Sequence, residues 1–278
     1  MINQIKNKAI QIIFSKLKYL FPNNKSANTI LVNSFPKSGT HLLYQLFWKF
    51  NFINDYKTFI ASHPSRNRSE LNFDVIDKLI SKTLKGELIR GHIFYNESTS
   101  NMINSKNIIN YFIYRDPRDI VISESNYLYK MNKFHLLHKY YKNIENQSDR
   151  IKFSIMGNDF INTGFTYKNV NARFSDYKGW LADQNSFNIK YEDLVSLEKE
   201  KFIKDILQFY IDKINLSLDI DDILKQSISS IDPSKSHTFN TGGIKKWKKI
   251  FNDEHKDLFK KYAGDLLIEL GYEKDYDW

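Results

Sequence analysis

The sequence predicts an α/β protein: a single domain with a central parallel β-sheet flanked by helices, entered through a phosphate-binding strand–loop–helix. Three observations carry this. Short β-branched, apolar runs alternate with longer segments of helical periodicity, the pattern of a parallel sheet covered on both faces. A glycine-bearing loop, Pro36-Lys37-Ser38-Gly39-Thr40, joins one such run to one such segment. The chain has 278 residues, 41% of them hydrophobic, enough to bury a substantial core.

The elements follow in order. Residues 2–21 read as an amphipathic helix, with Ile2, Ile5, Ala9, Ile12 and Ile13 at helical spacing between lysines. Such a helix docks on the domain, lies on a membrane surface with weak contact, or covers a greasy acceptor. Pro22, Asn23 and Asn24 stop it, so residues 1–26 are set apart from a domain at 27–278. Thr29 to Ser34 forms a buried strand, and a helix over 41–52 buries Leu42, Leu43, Leu46, Phe47 and Phe50. Further strands are expected at 87–91, 107–114 and 187–190. Further helices are expected at 117–130, 198–213 and 253–270, the last stopped by Gly271. Residues 131–170 are polar and Asn-rich and read as irregular, the character of a flap or a mobile loop.

Composition excludes several classes. No cysteine is present, which removes disulfide scaffolds, thiolate zinc sites, iron–sulfur clusters and cysteine nucleophiles. No apolar run approaches the ~20 residues of a membrane span. Lys6, Lys8, Lys16 and Lys18 interrupt every candidate signal-peptide core, so a soluble, cytoplasmic protein is expected. Lys+Arg is 41 against 32 Asp+Glu, a net charge of +9. No basic block is sustained along one element, which argues against a nucleic-acid polymer as partner. A site for a small polyanion accounts for the charge, as does the codon bias of an AT-rich genome.

The loop has a physical logic. Ligands of parallel α/β sheets sit beyond the C-terminal strand ends, where a helix N-terminus offers unpaired N–H groups. Gly39 permits close backbone approach, Ser38 and Thr40 add hydroxyls, and Lys37 adds a charge. The arrangement is P-loop-like but is not the Walker A motif, because the lysine precedes the glycine.

Ser34-Phe35-Pro36-Lys37-Ser38-Gly39-Thr40 resembles the 5′-phosphosulfate loop of sulfotransferases that use 3′-phosphoadenosine 5′-phosphosulfate (PAPS). Three more segments fall in that family's order. Tyr114-Arg115-Asp116-Pro117-Arg118-Asp119 through Ser123 is similar to its 3′-phosphate segment. Tyr191-Glu192-Asp193-Leu194 resembles a tetrapeptide after a mid-chain strand. Gly242-Gly243-Ile244-Lys245-Lys246-Trp247-Lys248 resembles the late glycine-rich loop, and 263–272 the tail of bacterial members.

The resemblance implies a nucleotide site of Lys37, Ser38, Gly39, Thr40, His41, Arg115, Ser123, Tyr191, Ser227, Gly242 and Gly243. It implies a hydroxyl, or less readily an amine, as acceptor on a small molecule, lipid or glycan. It implies His92 as catalytic base, with Lys37 on the leaving oxygen and Ser123 restraining Lys37; Glu97 is the alternative base. No metal is needed in that scheme. Residue by residue, other readings stay open: Arg115 can pair with Asp116 or Asp119 at a helix start, and Trp247 can be core. The late loop departs from the family, whose arginine and lysine correspond here to Asn240 and Thr241; Lys245, Lys246 or Arg118 can restore the charge. The dimerisation motif of the family's animal members is not present at 248–258, so no oligomeric state is assigned. Two other classes remain, a nucleotide-binding module without turnover and a P-loop kinase.

Overall fold

The computed structural model describes residues 27–160, 165–214, 217–232 and 243–278. The segment 1–26, Asn240, Thr241 and Gly242 lie outside the described residues, and with them the expected N-terminal helix. In chain order the elements are β1 (Ile30–Ser34), α1 (Thr40–Gln45), β2 (Phe59–Ala61), α2 (Phe73–Ser81), β3 (Leu88–His92), α3 (Glu97–Ser105) and β4 (Ile109–Tyr114). There follow α4 (Pro117–Asn126), a π-helical turn (Tyr127–Met131), α5 (His138–Lys142), α6 (Gln147–Met156), β5 (Asn158–Phe160), β6 (Phe165–Tyr167) and α7 (Val170–Ala182). The rest are β7 (Ser186–Lys190), α8 (Tyr191–Leu194), α9 (Lys199–Asp212), α10 (Ile220–Ser230), α11 (Trp247–Ile250) and α12 (Asp253–Glu269).

The chain divides into two compact units. The first comprises Met1–Ser62, Leu71–Tyr114 and Gly179–Phe239; the second comprises His63–Glu70, Arg115–Lys178 and Asn240–Trp278.

The first unit holds the expected parallel sheet, five strands in the order β2-β3-β1-β4-β7. Every pairing in it is parallel, with Asn33 opposite Gly91 and Phe112. Strand side chains alternate in direction. One set, with Ile30, Val32, Leu88, Tyr111 and Ile113, joins α1, α9 and α10 in a core built on Leu43, Phe47, Ile206, Leu207, Tyr210 and Ile223. The alternate residues Leu31, Ile89 and Phe112 are buried too, so both faces are covered. Helix α1 is shorter than the predicted 41–52. From Leu46 the amides bond three residues back (Leu46 to Leu43, Phe47 to Tyr44, Phe50 to Phe47), tightening the chain into 3₁₀-like turns that still bury these side chains.

In the second unit α4 begins as expected: Asp116 caps it through the Arg118 amide, and Pro117 opens the first turn. It ends four residues early in the π-helical turn. The expectation of an irregular 131–170 is corrected. Helices α5 and α6 and the antiparallel pair β5–β6 occupy most of that stretch. Asn146 is an exposed cap that takes the Asp149 amide, while Tyr141, Ile151, Ile155, Phe165 and Tyr167 are buried.

Candidate active site

In the first unit the loop after β1 has an unusual backbone. Lys37 (φ 72°) and Gly39 (φ 102°), with Ser38 between them, both adopt left-handed conformations. A non-glycine residue in that region costs energy and is kept where the surroundings enforce it. Alternation of this kind turns successive amides toward one side of the chain, an anion-binding concavity. Ser38 between them is fully buried, and its Oγ has no hydrogen-bond partner among the described residues. A buried hydroxyl without a partner is costly. Tyr191, at the start of α8, lies against Gly39: a Cβ on that glycine would stand 2.5 Å from Tyr191 Cδ2.

His92 ends β3, on the sheet face that carries Leu88 and Arg90. Its Nδ1 lies 3.0 Å from Ser34 O and 3.0 Å from Ser34 Oγ, and that hydroxyl is 2.6 Å from Thr40 Oγ1. A carbonyl oxygen only accepts, so Nδ1 carries the proton and Nε2 holds the lone pair. Burial pushes the imidazole down to about 4, with the charges of Lys37 and Arg90 adding to the effect, so the ring is neutral at pH 7. Phe59 meets the ring edge-on at 5.1 Å. Glu97, the alternative base, is exposed in the first turn of α3.

Asn33 was not among the residues that motif reasoning selects. It is fully buried; its Oδ1 accepts from the amides of Ser34 and Ile93, and its Nδ2 donates to Ile93 O. It therefore ties the end of β1 to the chain leaving His92 and fixes the spacing of Ser34 and His92. The available signal was an asparagine embedded in an apolar strand. Ser227, by contrast, is fully buried in α10 with its hydroxyl donated to Leu46 O just beyond α1.

In the second unit Arg115 is largely buried. Its Nη2 donates to Asp119 Oδ2 at 3.1 Å and to Gly243 O at 2.8 Å. Asp119 thus forms the helix-start ion pair, while Asp116 pairs with Arg118. Asp119 Oδ1 also accepts the Trp247 amide at 3.0 Å, so one carboxylate joins Arg115 to the late loop. Gly243 is left-handed (φ 100°). Ser123 is half-buried on α4, two turns beyond Arg115. Trp247 is buried, with the Arg118 guanidinium 3.7 Å from its ring centroid.

A family model described as a sulfotransferase domain matches residues 27–271, which span both units. The chain belongs to the sulfotransferase domain family. Solved structures share the fold. Mouse sulfotransferase SULT7A1 complexed with PAP has a TM-score of 0.58 at 17% identity, covering 90% of each chain. Retinol dehydratase in complex with androsterone and inactive cofactor PAP has a TM-score of 0.57 at 13% identity, covering 93% of this chain and 85% of the other. No curated protein matches the sequence. Among the described residues, no helix of this sulfotransferase is long and apolar enough to cross a membrane.

Proposed function

We propose that this sulfotransferase moves a sulfuryl group from PAPS to a hydroxyl, or less readily an amine, of a small-molecule, lipid or glycan acceptor. The observation that carries the proposal is His92, neutral and with its Nδ1 proton on Ser34 O, beside a loop that presents Lys37 and the partnerless Ser38 hydroxyl. Both solved relatives are bound to PAP, the nucleotide that sulfuryl transfer from PAPS leaves behind.

PAPS supplies a sulfuryl group on a good leaving phosphate. The loop of Lys37, Ser38, Gly39, Thr40 and His41 takes its 5′-phosphosulfate end, and Tyr191 its adenine side. Ser227 acts on that side only through the end of α1, whose Leu46 carbonyl it holds. Arg115, Ser123, Gly242 and Gly243 take the 3′-phosphate. As the acceptor oxygen forms its bond to sulfur, the bond from sulfur to the bridging oxygen breaks. The acceptor proton passes to His92 Nε2, and Lys37 meets the charge gathering on the leaving oxygen. Positioning and electrostatics carry such a transfer, as in phosphoryl transfer.

The test supplies PAPS with pools of phenolic, alcoholic, amine and glycan acceptors and follows bisphosphate release. Acceptor-dependent release by the wild type, lost in His92→Ala, supports the proposal. Absence of release with every pool, together with tighter binding of ATP than of the bisphosphate, contradicts it.

A further inference from the structure

The second unit contains a cluster that the motif does not explain. The late loop lacks the family's arginine and lysine at Asn240 and Thr241. Three cations near the loop can restore the charge, and their surroundings differ. Arg118 is committed elsewhere. It is buried, paired with Asp116 and Glu273, and held between the rings of Trp247 (3.7 Å) and Trp278 (4.6 Å). Two carboxylates and two indoles already engage its guanidinium. Lys245 is exposed. Lys246 is half-buried and folds back over the loop's own glycine: its Cε lies 3.3 Å from where a Cβ on Gly243 would stand. The carbonyl of that same Gly243 accepts from Arg115.

We propose that Lys246 is the second cation of the 3′-phosphate site, taking with Arg115 the part of the missing arginine–lysine pair. This rests on the nucleotide reading given above. Two cations converge on one left-handed glycine, and Asp119 faces both. That carboxylate also accepts the Trp247 amide, so its charge is shared. The excess positive charge is what a phosphate dianion neutralises. Burial, with the Arg115 charge adding to it, holds the Lys246 ammonium below the usual lysine range despite Asp119. An anion placed between the two cations reverses that penalty.

The test compares adenosine 3′,5′-bisphosphate with 5′-AMP, which differ only in the 3′-phosphate, by calorimetry on the full chain. Lys246→Ala should lose about ten- to a hundredfold in bisphosphate affinity, the range for a charge-assisted hydrogen bond, and keep its AMP affinity. Lys246→Arg, which retains the charge, should recover most of the loss. Lys245→Ala should match the wild type. The inference is overturned if Lys246→Ala keeps the wild-type ratio of the two affinities, or if Lys245→Ala loses as much. A wild type that binds both nucleotides equally overturns the underlying 3′-phosphate reading instead, so the two failures are distinct.

Discussion

The ring of Tyr191 lies so close to Gly39 that a Cβ there would stand 2.5 Å from Tyr191 Cδ2. Gly39 is also left-handed at φ 102°. Two independent constraints therefore exclude a side chain at the centre of the loop. Gly39→Ala should cost about 1–3 kcal/mol of stability and abolish bisphosphate binding. Adding Tyr191→Ala relieves the contact and leaves the φ penalty. The double variant should regain part of the stability in denaturant titration and none of the binding.

Lys37 carries the other left-handed backbone, at φ 72°, on a residue that ordinarily avoids it. Here the backbone and the ammonium can be separated. Lys37→Ala removes the charge and keeps the strain; Lys37→Gly removes both. Both variants should lose turnover and nucleotide affinity. Lys37→Gly should unfold at higher denaturant than Lys37→Ala. Equal midpoints would mean that the loop is not strained at this residue.

His92→Ala should lower turnover by ~10²–10⁴-fold and leave bisphosphate affinity intact, the result of losing a general base. Ser34→Ala makes a sharper point. It removes the hydroxyl shared with Thr40 and keeps the backbone carbonyl that accepts from His92 Nδ1. Turnover in Ser34→Ala should therefore stay far above that of His92→Ala. Matching losses would show that the hydroxyl, not the carbonyl, sets the tautomer.

The strands β1, β3 and β4 are legible in the sequence because a central parallel strand, buried on both faces, favours apolar-rich runs such as Ile109 to Tyr114, in which Asn110 is the one polar residue. The edge strand β7, with Asn188 exposed, shows only as the short run 187–190. Strand β2 is not, because Phe59-Ile60-Ala61 is a three-residue edge strand with Phe59 exposed. Helix α6 hides behind polar residues, yet Asn146 at its cap and Ile151 and Ile155 one turn apart carry its signal. At the site, glycine and charge spacing expose the loop and Arg115. Asn33 escapes because its role depends on Ile93, 60 residues away in sequence. That proximity exists only once β1 and β3 pair.

Arg115→Ala should raise the PAPS requirement about ten- to a hundredfold and change turnover at saturation little. Its proposed contact is remote from sulfur, so ground and transition states share it. Asp119 keeps the Trp247 amide in this variant, so the late loop should remain in place. A lowered kcat with unchanged KM would assign Arg115 to the chemical step.

Acid should separate activity from stability at two histidines. His92 and His135 are both pushed down to about 4, in each case chiefly by burial. For His135 the charges of His63 and His138 add to this, and its Nδ1 accepts the Leu137 amide, which requires the neutral ring. In the unfolded chain both titrate near 6.5. Between about 6.5 and 4 the unfolded state binds protons that the native state refuses. Stability contributed by these rings is therefore complete above pH 6.5, falls as pH drops through that window, and changes no further once the native rings also protonate. Urea midpoints should decline from pH 7 to pH 4.5, and His135→Gln should flatten the decline without touching the chemistry. In the proposed mechanism the activity limb belongs to His92. Its base is the neutral ring, so kcat/KM for the acceptor should be level across pH 6–8 as far as His92 controls it, and should fall only toward its lowered pKa. Bound nucleotide phosphates raise that pKa, so the limb in the saturated enzyme should lie higher than in the free enzyme. A limb at 6.5 in free enzyme would mean that the imidazole is solvated like an ordinary histidine, and the buried Nδ1 bond to Ser34 would not describe the working base.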